Sequence, residues 1–319
     1  MRRSIAGLAL VLSGVGTAGA QGASGCASVL ADACQKAEDV YSYLFPQLGT
    51  ALAGGHPTLG ASDMLGGFGH FNIGVRVTGV MGSLPDLDAV PVAVGPRVVT
   101  NIPTSKKVVP GPGVDAAIGI YGGFPLGVTR IGGIDALISI SYLPAPTSGE
   151  TEFEVPDGSV RFGFGARVGL LDESIVLPGV SASYLRRPLP VVSFRTTSPE
   201  GVEYGIDELD IDVGSWRLVA TKTFLLFGLS GGIGGDQYQS SGFIVASEAG
   251  SSGPEQRISV DRDVSRTSWF VGVTFGLGPL HVGAEFGGVS SGKISTFNTF
   301  DPAADASRTF ASLGVRFGL

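Results

Sequence analysis

Hydrophobic side chains along this chain recur mainly at every second position. Between 160 and 170, Val160, Phe162, Phe164, Ala166, Val168 and Leu170 share one parity, while Arg161, Gly163, Gly165, Arg167 and Gly169 share the other. A period of two is that of a β-strand with one apolar face and one small or polar face. The end of the chain repeats the pattern. Thr309, Ala311, Leu313, Val315, Phe317 and Leu319 alternate with Arg308, Phe310, Ser312, Gly314, Arg316 and Gly318.

Ten such runs follow Gly66. The first sets Phe71, Ile73, Val75 and Val77 against His70, Asn72, Arg76 and Thr78; a weaker second covers 114–121. The third sets Ala136, Ile138, Ile140 and Tyr142 against Asp135, Ser139 and Ser141; the fourth is 160–170. The fifth carries Pro178, Val180, Ala182 and Tyr184. The sixth spans 205–222, with Leu209, Ile211 and Val213 alternating against acids, and its change of pattern near Gly214 predicts a bulge. The seventh covers 224–238 and the eighth holds Trp269, Val271, Val273 and Phe275. In the ninth, Leu280, Val282, Ala284 and Phe286 oppose His281, Gly283, Glu285 and Gly287; the C-terminal run is the tenth.

The connections sort by length. Leu171-Asp172-Glu173, Lys222-Thr223 and Gly276-Leu277-Gly278 are short, whereas 82–112, 144–157, 187–204, 239–262 and 289–306 are long and polar or rich in Pro and Gly. Short turns on one rim and long loops on the other is the membrane-barrel arrangement, with the short turns periplasmic. The expected fold is therefore all-β: a transmembrane antiparallel up-and-down β-barrel of about ten strands, range 8–14, with a short N-terminal helical segment. The range reflects Val90–Val99 and Phe243–Ala246, which read as extracellular hairpins or as further strands. Counting back from the C-terminus places both chain ends in the periplasm.

Arg2 and Arg3, an apolar run from Ile5 to Val15 and the small-residue site Ala18-Gly19-Ala20 read as a signal peptide over 1–20. Residues 21–65 are expected to form a periplasmic N-terminal segment, and 66–319 the barrel. Within that segment, Leu30, Ala33, Ala37, Val40, Tyr41 and Leu44 recur at helical spacing over 27–52, with Pro46 and Gly49 as the stop. The helix reads as a cap on the barrel mouth, or alternatively as a plug in the lumen. Cys26 and Cys34 are the only cysteines, and a disulfide between them is the reading for an oxidising compartment. A pairing excludes both from one straight helix, where they would stand about 12 Å apart. Lipidation of Cys26 is the alternative.

Composition agrees with the pattern. Mean hydropathy is +0.32, and charged residues make up 15%, against about 25% in soluble domains. Glycine supplies 51 of 319 residues, mainly on the face opposite the apolar one. Without the two signal-peptide arginines, 19 basic residues (21 − 2) face 28 acidic ones, which argues against nucleic acid as a partner.

With its signal peptide, its ten runs and the terminal Leu313-x-Val315-x-Phe317-x-Leu319, the chain resembles Gram-negative outer-membrane β-barrel proteins. That class ends more often in Phe. The resemblance implies an outer-membrane location, contact with outer-membrane lipid and lipopolysaccharide, and handling by the barrel assembly machinery. A looser resemblance, to the long-chain fatty acid transporter family, lies in Leu48–Gly55 and in Leu177-Pro178-Gly179-Val180-Ser181-Ala182-Ser183-Tyr184. It implies a small hydrophobic ligand. The Asn-Pro-Ala motif of that family is missing, and its barrel is larger.

Candidate chemistry is sparse. Arg76, Asp135, Arg161, Arg167, His281, Glu285 and Arg316 face the lumen by alternation and are expected to form ion-pair networks or hydrated polar groups. His281 and Glu285 stand about 13 Å apart along a strand, too far to touch. His56 precedes the barrel, and no nucleophile motif accompanies the histidines, so an enzyme is not expected and no cofactor is implied. Glu208, Asp210 and Asp212 share one face about 7 Å apart and form a candidate cation site. Tyr142, Tyr184, Trp269 and Phe317 are candidates for interfacial girdles. The expected function is passage or uptake of small or hydrophobic molecules across the outer membrane. The alternative is a non-conducting structural or adhesive barrel whose acidic loops bind partners or lipopolysaccharide.

Overall fold

Ten antiparallel strands pair into a closed ring. The computed structural model describes residues 25–60, 64–143, 152–248 and 254–319; the signal-peptide reading of 1–20 lies outside them. The first five strands are β1 (Phe71–Pro85), β2 (Thr104–Tyr121), β3 (Ile134–Tyr142), β4 (Val160–Leu171) and β5 (Gly179–Pro188). The second five are β6 (Val202–Phe224), β7 (Phe227–Glu248), β8 (Gln256–Leu277), β9 (Leu280–Val289) and β10 (Arg308–Gly318). Each pairs with its neighbours in sequence, and β10 closes on β1 with Val315 opposite Val75 and Gly318 opposite Asn72. The seam is bonded to the last residue, since Phe71 and Leu319 exchange backbone hydrogen bonds of 3.1 and 3.0 Å. All ten alternating runs are strands of this barrel.

The outward parity forms a continuous apolar belt. Val75, Val77, Phe162, Phe164, Leu218, Ile233, Val271, Val273, Val282, Leu313 and Val315 are exposed around the ring. Only hydrocarbon makes such a surface stable, because soluble monomers do not expose contiguous apolar area on this scale. Tyr184 and Trp216, paired across β5 and β6, stand on the long-loop side of the belt near Trp269. Phe71 and Phe317 stand on the short-turn side. Tyr142, like the other girdle candidates, is exposed on the outer surface.

Strands β6 to β8 continue well beyond the belt, and there the two faces exchange character. On β8 the outward residues run Leu277, Val273, Val271 and Trp269, then Thr267, Ser265, Asp263 and Asp261. On β6, Trp216 and Leu218 face out below Gly214, while Asp210 and Asp212 face out above it. Leu209, Ile211 and Val213 meanwhile turn inward and are buried. The predicted bulge at Gly214 is therefore corrected. The ladder between β6 and β7 is regular from Asp210 to Phe224, and its irregularity lies between Asp207 and Asp210. What changes at Gly214 is the medium outside the wall, from hydrocarbon to water. The same exchange hid the true strand lengths: Phe243–Ala246 is the upper part of β7, and much of 239–262 is strand.

The inward apolar side chains above the belt pack on a helix, α1 (Ala31–Ala53). It contacts β1 and β2 on one side of the ring and β6 and β7 on the opposite side, so it stands inside the lumen. Of the two placements read from the sequence for this helix, mouth cap and lumen plug, the structure shows the plug. Pro46 and Gly49 do not end the helix. Proline in a helix interior costs about 3 kcal/mol, but enclosure on all sides holds the chain, and Thr50 Oγ1 donates to the Pro46 carbonyl at 2.8 Å. Wall glycines make the room. A Cβ on Gly111 would stand 2.2 Å from the Ala51 carbonyl oxygen, and one on Gly82 2.4 Å from Gln47 Oε1.

The helix enters from the long-loop rim, where Ala27 N donates to Gln256 Oε1 at 3.3 Å. The first described residues and the C-terminus therefore lie at opposite rims, not at one rim. Strand counting locates only the start of β1; the segment before it crosses the lumen. Cys26, ahead of the helix, is bonded to Cys34 within it, with Cα atoms 6.5 Å apart.

Candidate functional site

At the height of the belt, the lumen holds a layer of buried charges built by alternation. Arg76 lies between outward Val75 and Val77, and Arg167 between outward Ala166 and Val168. Asp115 of β2 bridges Arg76 of β1 and Arg187 of β5, each at 3.1 Å. Asp135 of β3 pairs with Arg167 of β4 at 2.6 Å, and Arg217 of β6 with Asp236 of β7 at 2.7 Å. Each of these charges has a partner in the barrel wall before the plug is considered, with Asp115 shared by two arginines. A buried charge without a partner would cost several kcal/mol, of order 3–5.

The same arginines grip the plug. A helix ends with carbonyls that lack intrahelical donors and with a partial negative charge. Here the chain turns at Gly54 and Gly55, and the guanidiniums meet it: Arg217 Nη2 donates to Ala53 O at 2.8 Å, Arg76 Nη1 to Gly54 O, and Arg316 Nη1 to Thr58 O at 3.1 Å. Arg167 Nη1 donates to Thr58 Oγ1 at 2.9 Å. Glu285 supplies the opposite polarity, accepting from His56 N at 3.0 Å. His56 is fully buried inside the barrel, not ahead of it. The cavity between the plug and strands β1, β9 and β10, lined by Leu59, Arg76, Gly314 and Arg316, measures about 20 Å³, the space of roughly one water molecule.

The upper end of the helix is held by the long loops. Asp32 accepts from Ala93 N at 2.7 Å and from Val98 N at 2.8 Å, and Asp39 from Phe297 N at 3.1 Å and Asn298 N at 2.7 Å. Burial pushes the Asp39 carboxyl above its ordinary range, against the pull of those hydrogen bonds. Loops 86–103 and 290–307 are joined across the mouth by a parallel pairing of Asn101–Ile102 with Thr299–Phe300.

Of the predicted lumen residues, Arg76, Asp135, Arg167 and Glu285 are brought into this layer. Arg316 and His281 are inward near the short-turn mouth, where they line an open cavity of about 250 Å³. Arg161 stands apart at the long-loop end, half-buried and paired with Asp157 at 3.0 Å. The candidate cation site does not assemble. Glu208 leaves the ladder at the irregularity and pairs with Arg257 at 3.0 Å, and Asp212 pairs with Arg186. Among the described residues no three His, Cys, Asp or Glu side chains are placed to hold a metal.

Asp115, Arg187, Arg217 and Asp236 were missed, and His56 was read as lying ahead of the barrel. Arg187 lies just beyond the last residue of the fifth run, and Arg217 beyond the supposed register change. Extending the alternation through Gly214 without a break recovers Arg217 and, opposite it, the even-numbered face of β7.

No family model matches the chain, and no curated protein matches it. Among solved structures it is similar to Ail, the attachment invasion locus protein of Yersinia pestis, with 9% identity, a TM-score of 0.30, and 79% of this chain and 99% of that one covered. It is also similar to a monoaromatic hydrocarbon channel, a TodX deletion mutant, with 11% identity, a TM-score of 0.30, and 78% and 66% covered. The outer membrane channel DcaP of Acinetobacter baumannii follows, with 8% identity, a TM-score of 0.21, and 78% and 96% covered. At these scores the likenesses add nothing on function. The paired ring and its apolar belt define the architecture: a transmembrane antiparallel β-barrel of the outer-membrane type, with its own N-terminal helix inside.

Proposed function

We propose that this protein is a non-conducting outer-membrane barrel whose work is done on its long-loop face. The observation that carries the reading is the occupied lumen. The helix and residues 54–60 run through it, and arginines of β1, β4, β6 and β10 bond to the plug within the belt. The short-turn rim then faces the periplasm, and the tall wall of β6 to β8 stands outside the cell as a charged surface. Acidic outward residues such as Asp210, Asp261 and Asp263 lie just above the aromatic level, suited to partners or to lipopolysaccharide bridged by divalent cations. No catalytic role enters this reading. Planar-bilayer recordings of the purified full-length protein test it: silence is expected, and discrete conductance steps at rest would overturn it.

A second reading keeps passage of small or hydrophobic molecules. It is favoured by the polar character of the contact between plug and wall within the belt, where hydrogen bonds to backbone carbonyls are exchangeable with water. In that case the plug must move, and tying it to the wall would abolish uptake.

A further inference from the structure

We propose that the short-turn rim is a lipid-contact surface, seated in the headgroup and acyl boundary of the periplasm-side leaflet instead of standing in water. The proposal rests on the membrane reading above.

The turns on this rim carry large apolar side chains with almost nothing against them. Ile175 in the β4–β5 turn is 98% exposed, Leu225 in the β6–β7 turn 99%, and Phe68, where the plug leaves the barrel, 92%. Val176, beside Ile175, and Val128 in the β2–β3 connection are exposed as well. Folding alone does not call for these residues. Leu225 has φ of +56°, a conformation that L side chains resist and that tight hairpins usually give to Gly or Asn.

The apolar belt also needs this rim to reach its full height. From Trp216 to Leu225 are nine steps of about 3.4 Å, which at a tilt of about 40° rise about 23 Å. The hydrocarbon-facing band of such barrels is about 25 Å tall. A band that starts at Trp216 therefore ends at the turn itself, with no polar wall beneath it. At the other rim polar outward residues follow the last large apolar side chain of the belt, Gln237, Gln239 and Ser241 above Ile233 on β7 and Thr267, Ser265 and Asp263 above Trp269 on β8. The one cation on the outer face of β6 near the short-turn rim, Lys222, bends its ammonium onto the Ser174 carbonyl at 2.5 Å and toward Glu173 at 3.4 Å. Its stem thus lies along apolar surface while its charge reaches the interface. The exposed turn residues continue the belt, since Phe224 and Phe227, both exposed, flank the Leu225-Leu226 turn.

Single-cysteine variants of the full chain test this, because both native cysteines are in the disulfide. L225C, I175C, Q239C and V273C are labelled with bimane and reconstituted into phosphatidylethanolamine–phosphatidylcholine vesicles, with folding checked by heat-modifiable mobility. A lipid carrying a nitroxide near the glycerol should remove most of the emission at positions 225 and 175, with aqueous iodide having little effect. Position 239 should behave in the opposite way. If position 273 is shielded from iodide by lipid but 225 and 175 are quenched by iodide and not by the lipid nitroxide, the proposal is overturned while the barrel reading survives. If 273 is also open to iodide, both fail.

Discussion

Arg167 and Asp135 face each other across β4 and β3, with Arg167 Nη2 2.6 Å from Asp135 Oδ2 and neither side chain open to solvent. The third face of the same guanidinium reaches Thr58 on the plug at 2.9 Å. Wall and plug are therefore one electrostatic unit, which makes single and double substitutions informative. Arg167→Ala leaves a carboxylate buried without its partner and should destabilise the barrel by about 3–5 kcal/mol. Arg167→Leu combined with Asp135→Leu should recover most of that loss. Urea midpoints in lipid vesicles give the comparison, and equal midpoints for the single and double variants would contradict the pairing.

Val315 and Arg316 are neighbours that meet different media. Val315→Arg puts a cation on the belt and should cost about 2–4 kcal/mol near the bilayer midplane. Arg316→Val removes an inward donor to Thr58 O and should leave membrane insertion intact. The heat needed to shift each variant from folded to unfolded gel mobility measures the difference.

How far the sequence reached can be judged residue by residue. The ten strands were legible because alternation survives wherever one side of the wall meets hydrocarbon. Phe162, Phe164 and Val168 sit opposite glycines and arginines and needed no further information. The ends of β6 to β8 were not legible, because outward Asp212 and inward Val213 invert the rule that applies to Trp216 and Arg217. The plug was legible only as the alternative to a mouth cap. Asp32, Lys36, Asp39 and Gln47 look like a solvated helix face, yet all are buried, their hydrogen bonds supplied by loops and wall. A helix enclosed on every side loses the amphipathic signature that a surface helix has.

Asp39 sets a pH dependence at the long-loop mouth. Burial raises its carboxyl in the folded protein, so the folded state binds that proton more tightly than the unfolded chain. The linked stability is complete below the unfolded value, about 3.9, and is lost as pH rises through the folded value. Mild acid should therefore not release the loop at Phe297 and Asn298. Amide exchange there, corrected for intrinsic rate, is expected to be no faster at pH 5 than at pH 7.

The occupied lumen is tested most directly by a cross-link between plug and wall in intact membranes. A Cβ on Gly54 would stand 2.8 Å from Thr78 Cγ2 of β1, so Gly54→Cys with Thr78→Cys places two thiols within disulfide range. The predicted result is a spontaneous bond, seen as altered mobility on a non-reducing gel that reverts with reductant. Two thiols that remain unlinked under oxidation, with position 54 freely labelled by a membrane-impermeant maleimide, would contradict a plug held inside the barrel.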